Sequence, residues 1–311
     1  MTSRTDVELA GRPRWRGQRG RLEVHYLTAT DEATGTGLWL HHEVVAPTSG
    51  DAYAHGWLAM FPPDAPPSYD RFGPSPAQPD GGDGWFRSGS VVMTAERAAG
   101  AAGDIEWDLH WQPDSAPLWT FPRWAWRRQA LPAAQVVPTP ATTISGRVGT
   151  RPFRGTAAVA HIYGHGNAQR WVWLHADLGG GDVLELVAAT ARRAGLRLLP
   201  PLPLLQLRVN GRDWPADPLA AAPLLRCRIG TDGFRVAGVV GTRRLTVDVG
   251  LLADRCVTVG YVDPDGATAT CTNTERADVT VATSELTLRG WRRHRRWQLA
   301  GTGHAEVGSR P

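Results

Sequence analysis

Residues 155–177 read GTAAVAHIYGHGNAQRWVWLHAD and contain three histidines and two tryptophans. Residues 157–163 form an apolar and aromatic run, and residues 170–177 form a second run that alternates along its length. Glycine and asparagine at 164–167 favour a turn between the two runs. The stretch therefore predicts a β-hairpin.

The second run has two distinct faces, because successive side chains of a strand point to opposite sides. One face is aliphatic and is expected in the core. The other face is aromatic and titratable, and it carries Trp171, Trp173, His175 and Asp177. If that face lines a cavity, it suits a large apolar molecule beside a proton donor. If it lies against solvent or another domain, it serves packing alone.

Length and composition limit the class of protein. A chain of 311 residues with 42% hydrophobic content predicts two domains with a real core. No stretch approaches the roughly 18 apolar residues of a membrane helix, and the first fifteen residues lack the apolar segment of a signal peptide. We therefore expect a cytoplasmic protein without a membrane span, and peripheral contact with a membrane stays open.

The charged residues exclude several chemistries. All 34 basic residues are arginine, so Schiff-base lysine and P-loop chemistry are excluded. The sequence also lacks the GxSxG, GxGxxG and HExxH motifs. The arginines of residues 292–296, between Trp291 and Trp297, are compatible with nucleic-acid binding. Charges that protect a strand edge are the favoured reading, and we expect no nucleic-acid partner.

Cysteine and histidine spacing does not predict a metal site. The three cysteines form no CxxC pair, which indicates neither a disulfide framework nor a structural zinc site. His161 and His165 have helical spacing, but the neighbouring glycines disfavour a helix. His41 and Glu43, with His55 on a neighbouring strand, form an alternative three-ligand set. Histidines on aromatic faces are more often hydrogen-bonded core residues, so we expect no metal and no cofactor.

The remaining sequence predicts short strands separated by turns, with helical turns only within 117–129 and 187–194. Residues 62–84 are rich in Pro, Gly and Asp, and we expect a mobile loop that covers a pocket mouth. This pattern predicts an all-β fold with under roughly a tenth of its residues in helix. Each half has room for one antiparallel barrel, in residues 15–145 and 146–311.

Several motifs resemble a known family. They are WRGQRGRLEVHYL, GLWLHHEVVAPT, YAHGWLAMF, DIEWDLHW, YVDPDGATATCTNTERAD and the opening stretch. Together they resemble the two-domain lipocalin-like proteins of the carotenoid hydratase, tocopherol cyclase and AttH group. The resemblance implies two calycin-type barrels around an apolar ligand. The residues that match the family pattern are Gly155, His161, Gly164, Trp171 and Trp173. The hydratases of this group use an aspartate as the acid, but the corresponding position in this sequence, at or near Ala160, has no aspartate.

Glu43 is the first candidate for a proton donor. In GLWLHHEVV it shares a face with Trp39 and His41, and a carboxyl group among tryptophans has its pKa raised by desolvation. The alternative is a Glu43 exposed on a half-buried strand. The predicted catalytic residues are Glu43, His41, His175 and Tyr163. The predicted substrate-binding residues are Trp39, His55, Trp57, His161, Trp171, Trp173 and Asp177.

These observations predict an enzyme that folds an apolar terpenoid or polyketide and cyclises or isomerises it. Proton donation and aromatic walls are sufficient for such a reaction. Three alternatives remain: a non-catalytic carrier of a hydrophobic small molecule, a hydratase of isoprenoid double bonds, and a structural partner that docks through its second barrel. The sequence does not indicate the oligomeric state.

Overall fold

A computed structural model describes residues 4–79, 84–128, 133–166 and 168–311. It contains 62% strand and 9% helix, so the predicted all-β fold with little helix is confirmed. The strands form two ten-stranded antiparallel sheets, as expected of two consecutive lipocalin-like barrels. Among the described residues, no helix is long and apolar enough to cross a membrane.

The first sheet has the order β4-β3-β2-β1-β10-β9-β8-β7-β6-β5. Two helices accompany it: α1 (Arg4–Gly11) and α2 (Arg123–Arg128). Its strands are β1 (Arg21–Asp31), β2 (Gly37–Ala46), β3 (Tyr53–Phe61), β4 (Ser68–Pro76), β5 (Phe86–Ser88), β6 (Val91–Met93), β7 (Arg97–Ala102), β8 (Ile105–Trp111), β9 (Ala133–Val148) and β10 (Arg151–Gly164).

This sheet curls around one hydrophobic core, because alternate residues of every long strand are apolar. Leu40 on β2, Leu58 on β3 and Leu109 on β8 meet in that core and are inaccessible to solvent. The terminal strands come together where the hydroxyl groups of Ser75 on β4 and Ser88 on β5 hydrogen bond at 2.8 Å. The barrel interior therefore lies on the even-numbered face of β2.

The second sheet has the order β14-β13-β12-β11-β20-β19-β17-β16-β15, with β18 paired to β19. A short helix, α3 (Pro218–Ala221), follows β14. The strands are β11 (Arg170–Gly179), β12 (Asp182–Thr190), β13 (Leu202–Val209), β14 (Arg212–Trp214), β15 (Leu225–Ile229), β16 (Gly233–Val240), β17 (Arg243–Gly250), β18 (Val257–Val262), β19 (Thr268–Thr287) and β20 (Gly290–Ser309).

The faces predicted for the second run of the opening stretch are confirmed. Val172, Leu174 and Ala176 on β11 belong to the core of the second sheet, together with Leu186 and Val247. Trp171 and its alternate neighbours therefore point to the opposite, outer face of the sheet.

The predicted hairpin at 155–177 is wrong, although both of its strands exist. β10 pairs with β1 and β9, where His161 lies opposite His25. β11 pairs instead with β12 and β20. The chain changes sheets between Gly164 and Arg170, because both edges of β10 are paired with β1 and β9 and both edges of β11 are paired with β12 and β20.

Two other local predictions differ from the structure. Residues 187–194 were expected to allow helical turns, but β12 continues to Thr190. The predicted loop 62–84 contains the edge strand β4, which tolerates proline because an edge strand needs hydrogen bonds on one side only. Residues 80–83 of that loop lie outside the described residues. The helical turns predicted within 117–129 are confirmed by α2, as far as Arg128.

Contacts group the chain into two compact units. The first contains Met1–Trp119, Arg123–Asn167 and Tyr261–Thr268, and the second contains Thr120–Pro122, Ala168–Gly260 and Ala269–Pro311. The segment at 261–268 is held to the first unit by the backbone hydrogen bond from Thr48 N to Pro264 O, at 2.8 Å.

Candidate functional site

The residues predicted around Glu43 do come together, on the outer face of the first sheet. Residues of β2 and β3 pair in antiparallel register, with Glu43 opposite His55 and His41 opposite Trp57. Opposite residues of neighbouring strands project their side chains to the same face. We name this group, Trp39, His41, Glu43, His55 and Trp57, the Glu43 cluster.

The carboxylate of Glu43 lies between two imidazoles. Its Oε2 atom is 3.5 Å from Nε2 of His41 and 3.3 Å from Nε2 of His55. Both are ion-pair distances rather than short, well-aligned hydrogen bonds. Glu43 and His41 are buried, and His55 is partly exposed.

Aromatic rings surround this group. The His41 imidazole stacks on the Trp57 indole with ring centroids 3.9 Å apart and planes 3° apart. Trp39 meets Trp57 edge to face at 5.1 Å, and Tyr261 does so at 5.5 Å. The Arg71 guanidinium lies 5.1 Å from the centre of the Trp57 ring, within the range of a cation–π contact.

The surroundings of Glu43 favour its ionised form. Burial by itself would raise the pKa of this carboxyl, but interactions with His41 and His55 outweigh burial and lower the pKa to about 2. Burial also lowers the pKa of His41. A carboxylate that is ionised at neutral pH is suited to act as a base or counter-charge, which disagrees with the acid role predicted for Glu43.

His161, predicted to bind substrate, lies on the inner face of the first barrel and holds the N-terminal segment. Its Nε2 atom is 2.8 Å from Oε1 of Glu23, and its Nδ1 atom is 2.8 Å from the carbonyl oxygen of Ala10 in α1. The His25 ring stacks on the His161 ring with centroids 4.0 Å apart. The Nε2 atom of His25 is within hydrogen-bond distance of the carbonyl oxygen of Gly11, at 2.7 Å.

Glu23 completes this attachment. Its carboxylate accepts hydrogen bonds from the backbone N–H of Arg14 at 2.6 Å and of Trp15 at 3.1 Å. Val7 of α1 is buried against the barrel core. A polar group buried this deeply is stable only when its hydrogen bonds are satisfied, so Glu23 and His161 serve to fix α1 to the barrel.

Tyr163, predicted as a catalytic residue, lies apart from the Glu43 cluster. It lines a cavity of about 10 Å³, the space of roughly one water molecule, together with Arg14, Arg21 and Trp126. Burial raises the pKa of Tyr163. This cavity is too small for an organic substrate.

A second group of predicted residues lies on the outer face of the second sheet. The Trp173 indole N–H donates to Oε1 of Glu185 at 2.6 Å, and Nδ1 of His175 lies 2.8 Å from Oε2 of the same carboxylate. Glu185 is inaccessible to solvent. Sequence analysis predicted the tryptophan and the histidine but not the carboxylate that joins them.

The same face holds a second carboxyl–imidazole pair. Nδ1 of His304 on β20 lies 2.6 Å from Oε2 of Glu275 on β19. The rings of His304 and His175 are 5.9 Å apart, since these two residues are opposite each other on β20 and β11. The two pairs are therefore neighbours.

Burial dominates the protonation of the second pair. It raises the pKa of Glu275 well above its usual range, against opposing effects of Asn273 and His175. Burial also lowers the pKa of His304 to about 3. Burial thus disfavours the charged form of both partners, the carboxylate of Glu275 and the imidazolium of His304.

A third carboxyl group extends this region. Oε1 of Glu306 accepts a hydrogen bond from the Trp171 indole N–H at 2.7 Å. The pKa of Glu306 is raised by burial, and the neighbouring Glu275 raises it further. We name the whole group the Glu275 cluster; its members are Trp171, Trp173, His175, Glu185, Asn273, Glu275, His304 and Glu306.

Asp177, predicted to bind substrate, stabilises a turn. Its Oδ1 atom accepts the backbone N–H of Gly179 at 2.9 Å, just before the chain enters β12. Aspartate commonly bonds to the backbone two residues further on in such turns.

Among the residues at 4–79, 84–128, 133–166 and 168–311, no group of three His, Cys, Asp or Glu residues is arranged to hold a metal ion. The three-ligand alternative at His41, Glu43 and His55 therefore has no geometric support.

Glu275 and His304 were not predicted as site residues, for different reasons. In CTNTERAD the residues on both faces of β19 are polar, so alternation does not show which of them are buried. His304 lies in GTGHAEVG, a glycine-rich run that resembles a turn. The polar stretch did contain one indication of buried polar residues: the interior of a strand rarely exposes both faces, so one of the two polar faces after residue 268 had to be buried.

Comparison with known sequences identifies close relatives. The chain is 51% identical over 312 aligned residues to Uncharacterized protein Rv0493c and to Uncharacterized protein MT0513, from two strains of Mycobacterium tuberculosis. The alignments span 98% of this chain and 91% of each relative. No protein-family model matches the chain.

Solved structures share the fold at low sequence identity. CghA superposes with a TM-score of 0.58 at 11% identity, covering 93% of this chain and 88% of that chain. A putative AttH of Nitrosomonas europaea gives 0.56 at 15% identity, with 94% and 93% covered. Kievitone hydratase of Nectria haematococca gives 0.54 at 7% identity, with 92% and 88% covered. The predicted resemblance to the lipocalin-like AttH group is confirmed at the level of the fold.

Proposed function

We propose that the chain, which belongs to the same family as the Mycobacterium tuberculosis proteins Rv0493c and MT0513, is a lipocalin-like enzyme that cyclises or isomerises an apolar small molecule by proton transfer. The site that we assign to this reaction is the Glu275 cluster. In the Glu43 cluster, where the sequence analysis located the acid, the pKa of the carboxyl group is lowered instead.

The observation that carries the proposal is the environment of Glu275. This carboxyl group is inaccessible to solvent and lies 2.6 Å from the His304 imidazole. A carboxyl group whose pKa is raised by burial holds its proton to a higher pH than a free carboxyl group does, which suits it to act as a general acid. An enzyme that protonates a carbon–carbon double bond requires such a group.

In this reaction Glu275 supplies one proton and later receives one back. The proton of Glu275 adds to one carbon of a C=C bond, whose π electrons form the new C–H bond and leave a cationic carbon. In a cyclisation, a second double bond of the substrate then attacks that carbon. Loss of a proton from an adjacent carbon to the Glu275 carboxylate restores a double bond and regenerates the acid.

The neighbouring groups stabilise the positive charge. The indoles of Trp171 and Trp173 are on the same outer face of β11, and aromatic faces attract cations. The Glu185 carboxylate receives hydrogen bonds from Trp173 and His175, which fix its position. Because Glu185, Glu275 and His304 are at most 3% exposed, water has little access to a cationic intermediate. Substrate entry therefore requires side chains of this face to move.

Protonation of a double bond by Glu275 is also the first step of a hydration. Kievitone hydratase, which shares the fold, is by its name a hydratase. Attack of water on the protonated double bond would give an alcohol rather than a ring or a shifted double bond. The mass of the product distinguishes these outcomes, because only hydration adds the mass of water.

The test is to identify the ligand and then follow its conversion. Native mass spectrometry of the full chain purified from its own host is expected to show a bound apolar compound, and the purified protein should convert that compound or its precursor. Glu275→Gln should lower turnover by about 10² to 10⁴-fold while it retains binding. Glu106→Gln, an exposed glutamate on β8, is the matched control.

Two results would contradict this function. Release of the bound compound unchanged under all conditions would identify a carrier. Full turnover by a folded Glu275→Gln variant would show that the acid is elsewhere.

A further inference from the structure

The hairpin between β19 and β20 ends in a tip with unusually exposed apolar side chains. Its turn consists of Leu288 and Arg289, because Thr287 and Gly290 are the last paired residues. Leu288 is fully exposed, Leu286 is 49% exposed and Trp291 is 37% exposed. Such a group of exposed large apolar residues commonly marks an interaction surface.

A neighbouring tip extends this surface. β17 pairs with β19, and the backbone N–H of Leu286 donates to the carbonyl oxygen of Thr242, in the turn between β16 and β17, at 2.8 Å. Val239, close to that turn, is also exposed. The apolar side chains of two adjacent hairpins therefore lie at the same end of the second sheet.

Arginine side chains surround these apolar groups. Arg289, Arg292, Arg293 and Arg296 are exposed along the hairpin, and the guanidinium of Arg244 lies 4.4 Å from the centre of the Trp291 ring. Glu285, the acidic residue in this region of the two strands, is bound to Arg243 at 3.1 Å. The surface, which we name the hairpin tip, is therefore strongly cationic around an apolar centre.

We propose that the hairpin tip docks on an anionic membrane surface, a property beyond the proposed function. Leu286, Leu288 and Trp291 insert into the interface between headgroups and acyl chains, where leucine and tryptophan side chains are stabilised. The arginines bind the lipid phosphates, to which guanidinium groups donate paired hydrogen bonds. A protein that acts on an apolar molecule would thereby meet a membrane, in which such molecules dissolve.

Charge and shape favour a membrane over a nucleic acid. Single-stranded nucleic acids stack their bases on accessible aromatic faces, but Arg244 covers a face of Trp291. A fully exposed leucine at the outermost point of the tip gains nothing from a phosphate backbone, whereas it is stabilised in a lipid interface.

The test is flotation of the full chain with vesicles of phosphatidylcholine alone and of phosphatidylcholine mixed with phosphatidylglycerol. We expect binding to the mixed vesicles, weaker binding at high salt, and little binding to phosphatidylcholine alone. Leu288→Ser should lower the partition coefficient by about tenfold. Combined Arg292→Gln and Arg293→Gln substitutions should lower it by a similar factor on anionic vesicles.

Leu252→Ser is the matched control, because Leu252 is an exposed leucine of the same unit that follows Gly250, at the end of β17 away from the turn at Thr242. It should leave partition unchanged, and the melting temperatures of all variants should match that of the parent chain. Absence of binding to anionic vesicles, or binding that Leu288→Ser leaves intact, would overturn the proposal. Tight binding of a single-stranded oligonucleotide without vesicle binding would overturn it in favour of a nucleic-acid surface.

Discussion

The Glu43 cluster and the Glu275 cluster both combine glutamate, histidine and tryptophan, but the pKa values of Glu43 and Glu275 are shifted in opposite directions. Each lies on the outer face of its sheet, and each combines buried carboxyl groups, imidazoles and indoles. In the first, one carboxylate has two imidazole partners and its pKa is lowered to about 2. In the second, burial prevails and the pKa of Glu275 is raised.

The difference follows from the balance between burial and the neighbours that favour the charged form of each carboxyl group. At Glu43 the interactions with His41 and His55 outweigh burial. At Glu275 the hydrogen bond with Asn273 and the charge of His175 favour the carboxylate, but burial outweighs them. Burial alone thus predicts neither state, and the number of opposing charges and donors decides which form is stable.

The largest expected difference between the two clusters is the effect on turnover of replacing Glu275 or Glu43. Glu275→Gln should lower kcat by about 10² to 10⁴-fold, because it removes the proposed general acid. Glu43→Gln should change kcat by less than about tenfold, because Glu43 is not the proposed proton donor. Steady-state kinetics on the identified substrate would measure both. A reversed order of the two effects would return the acid to Glu43.

The two carboxyl groups should also give opposite dependences of stability on pH. The folded-state pKa of Glu43 is lowered from 4.5 to about 2, so its contribution is present above pH 4.5 and is lost as the pH falls through about 2. Glu43→Gln should therefore lower the free energy of unfolding by about 3 kcal/mol at neutral pH, and the difference from the parent chain should vanish in strong acid.

Glu275 should show the inverse trend. Its folded-state pKa is raised, so its contribution is fully present below pH 4.5 and is lost as the pH rises toward the raised value. The stability of Glu275→Gln relative to the parent chain should therefore increase with pH. Urea unfolding of both variants between acid and neutral pH would measure how their free energies of unfolding change with pH relative to the parent chain. Parallel changes would contradict the opposite pKa shifts of Glu43 and Glu275.

A smaller effect distinguishes the tryptophans of the two clusters. The Trp173 N–H donates to the buried Glu185 carboxylate, whereas the Trp57 N–H has no hydrogen-bond acceptor among the described residues. Both changes to phenylalanine leave a cavity, but only Trp173→Phe removes a donor from a buried carboxylate. It should be more destabilising than Trp57→Phe by about 1–3 kcal/mol. Equal losses in thermal unfolding would show that the hydrogen bond to Glu185 has no net effect.

Strand positions and faces could be predicted from the sequence, because they depend on the period of two that every β-backbone has. β2 carries Trp39, His41 and Glu43 on one face, as the alternation in GLWLHHEVV predicted, and Leu38 and Leu40 of the other face lie in the core. His55 was expected on a strand neighbouring that of Glu43, and β3 places it there. The strand pattern predicted an all-β fold, and the resemblance to the lipocalin-like group implied two barrels.

Pairing between distant strands could not be predicted in this way. The strand at 151–164 lies between β1 and β9 rather than against β11, although a turn-forming sequence follows it. Periodicity shows which face of a strand is apolar, but it does not show which other strand covers the remaining hydrogen-bonding edge.

The opposite pKa shifts of Glu43 and Glu275 were decided by the tertiary structure alone. Glu43 appeared in the sequence as a carboxyl group among tryptophans, and Glu275 lies in the polar stretch CTNTERAD. The fold placed two imidazoles of β2 and β3 beside Glu43, whereas it buried Glu275 near His175 of β11, a strand about a hundred residues earlier in the chain. The pKa of a buried group depends on the charges and donors within a few ångströms of it, and sequence distance does not determine those neighbours.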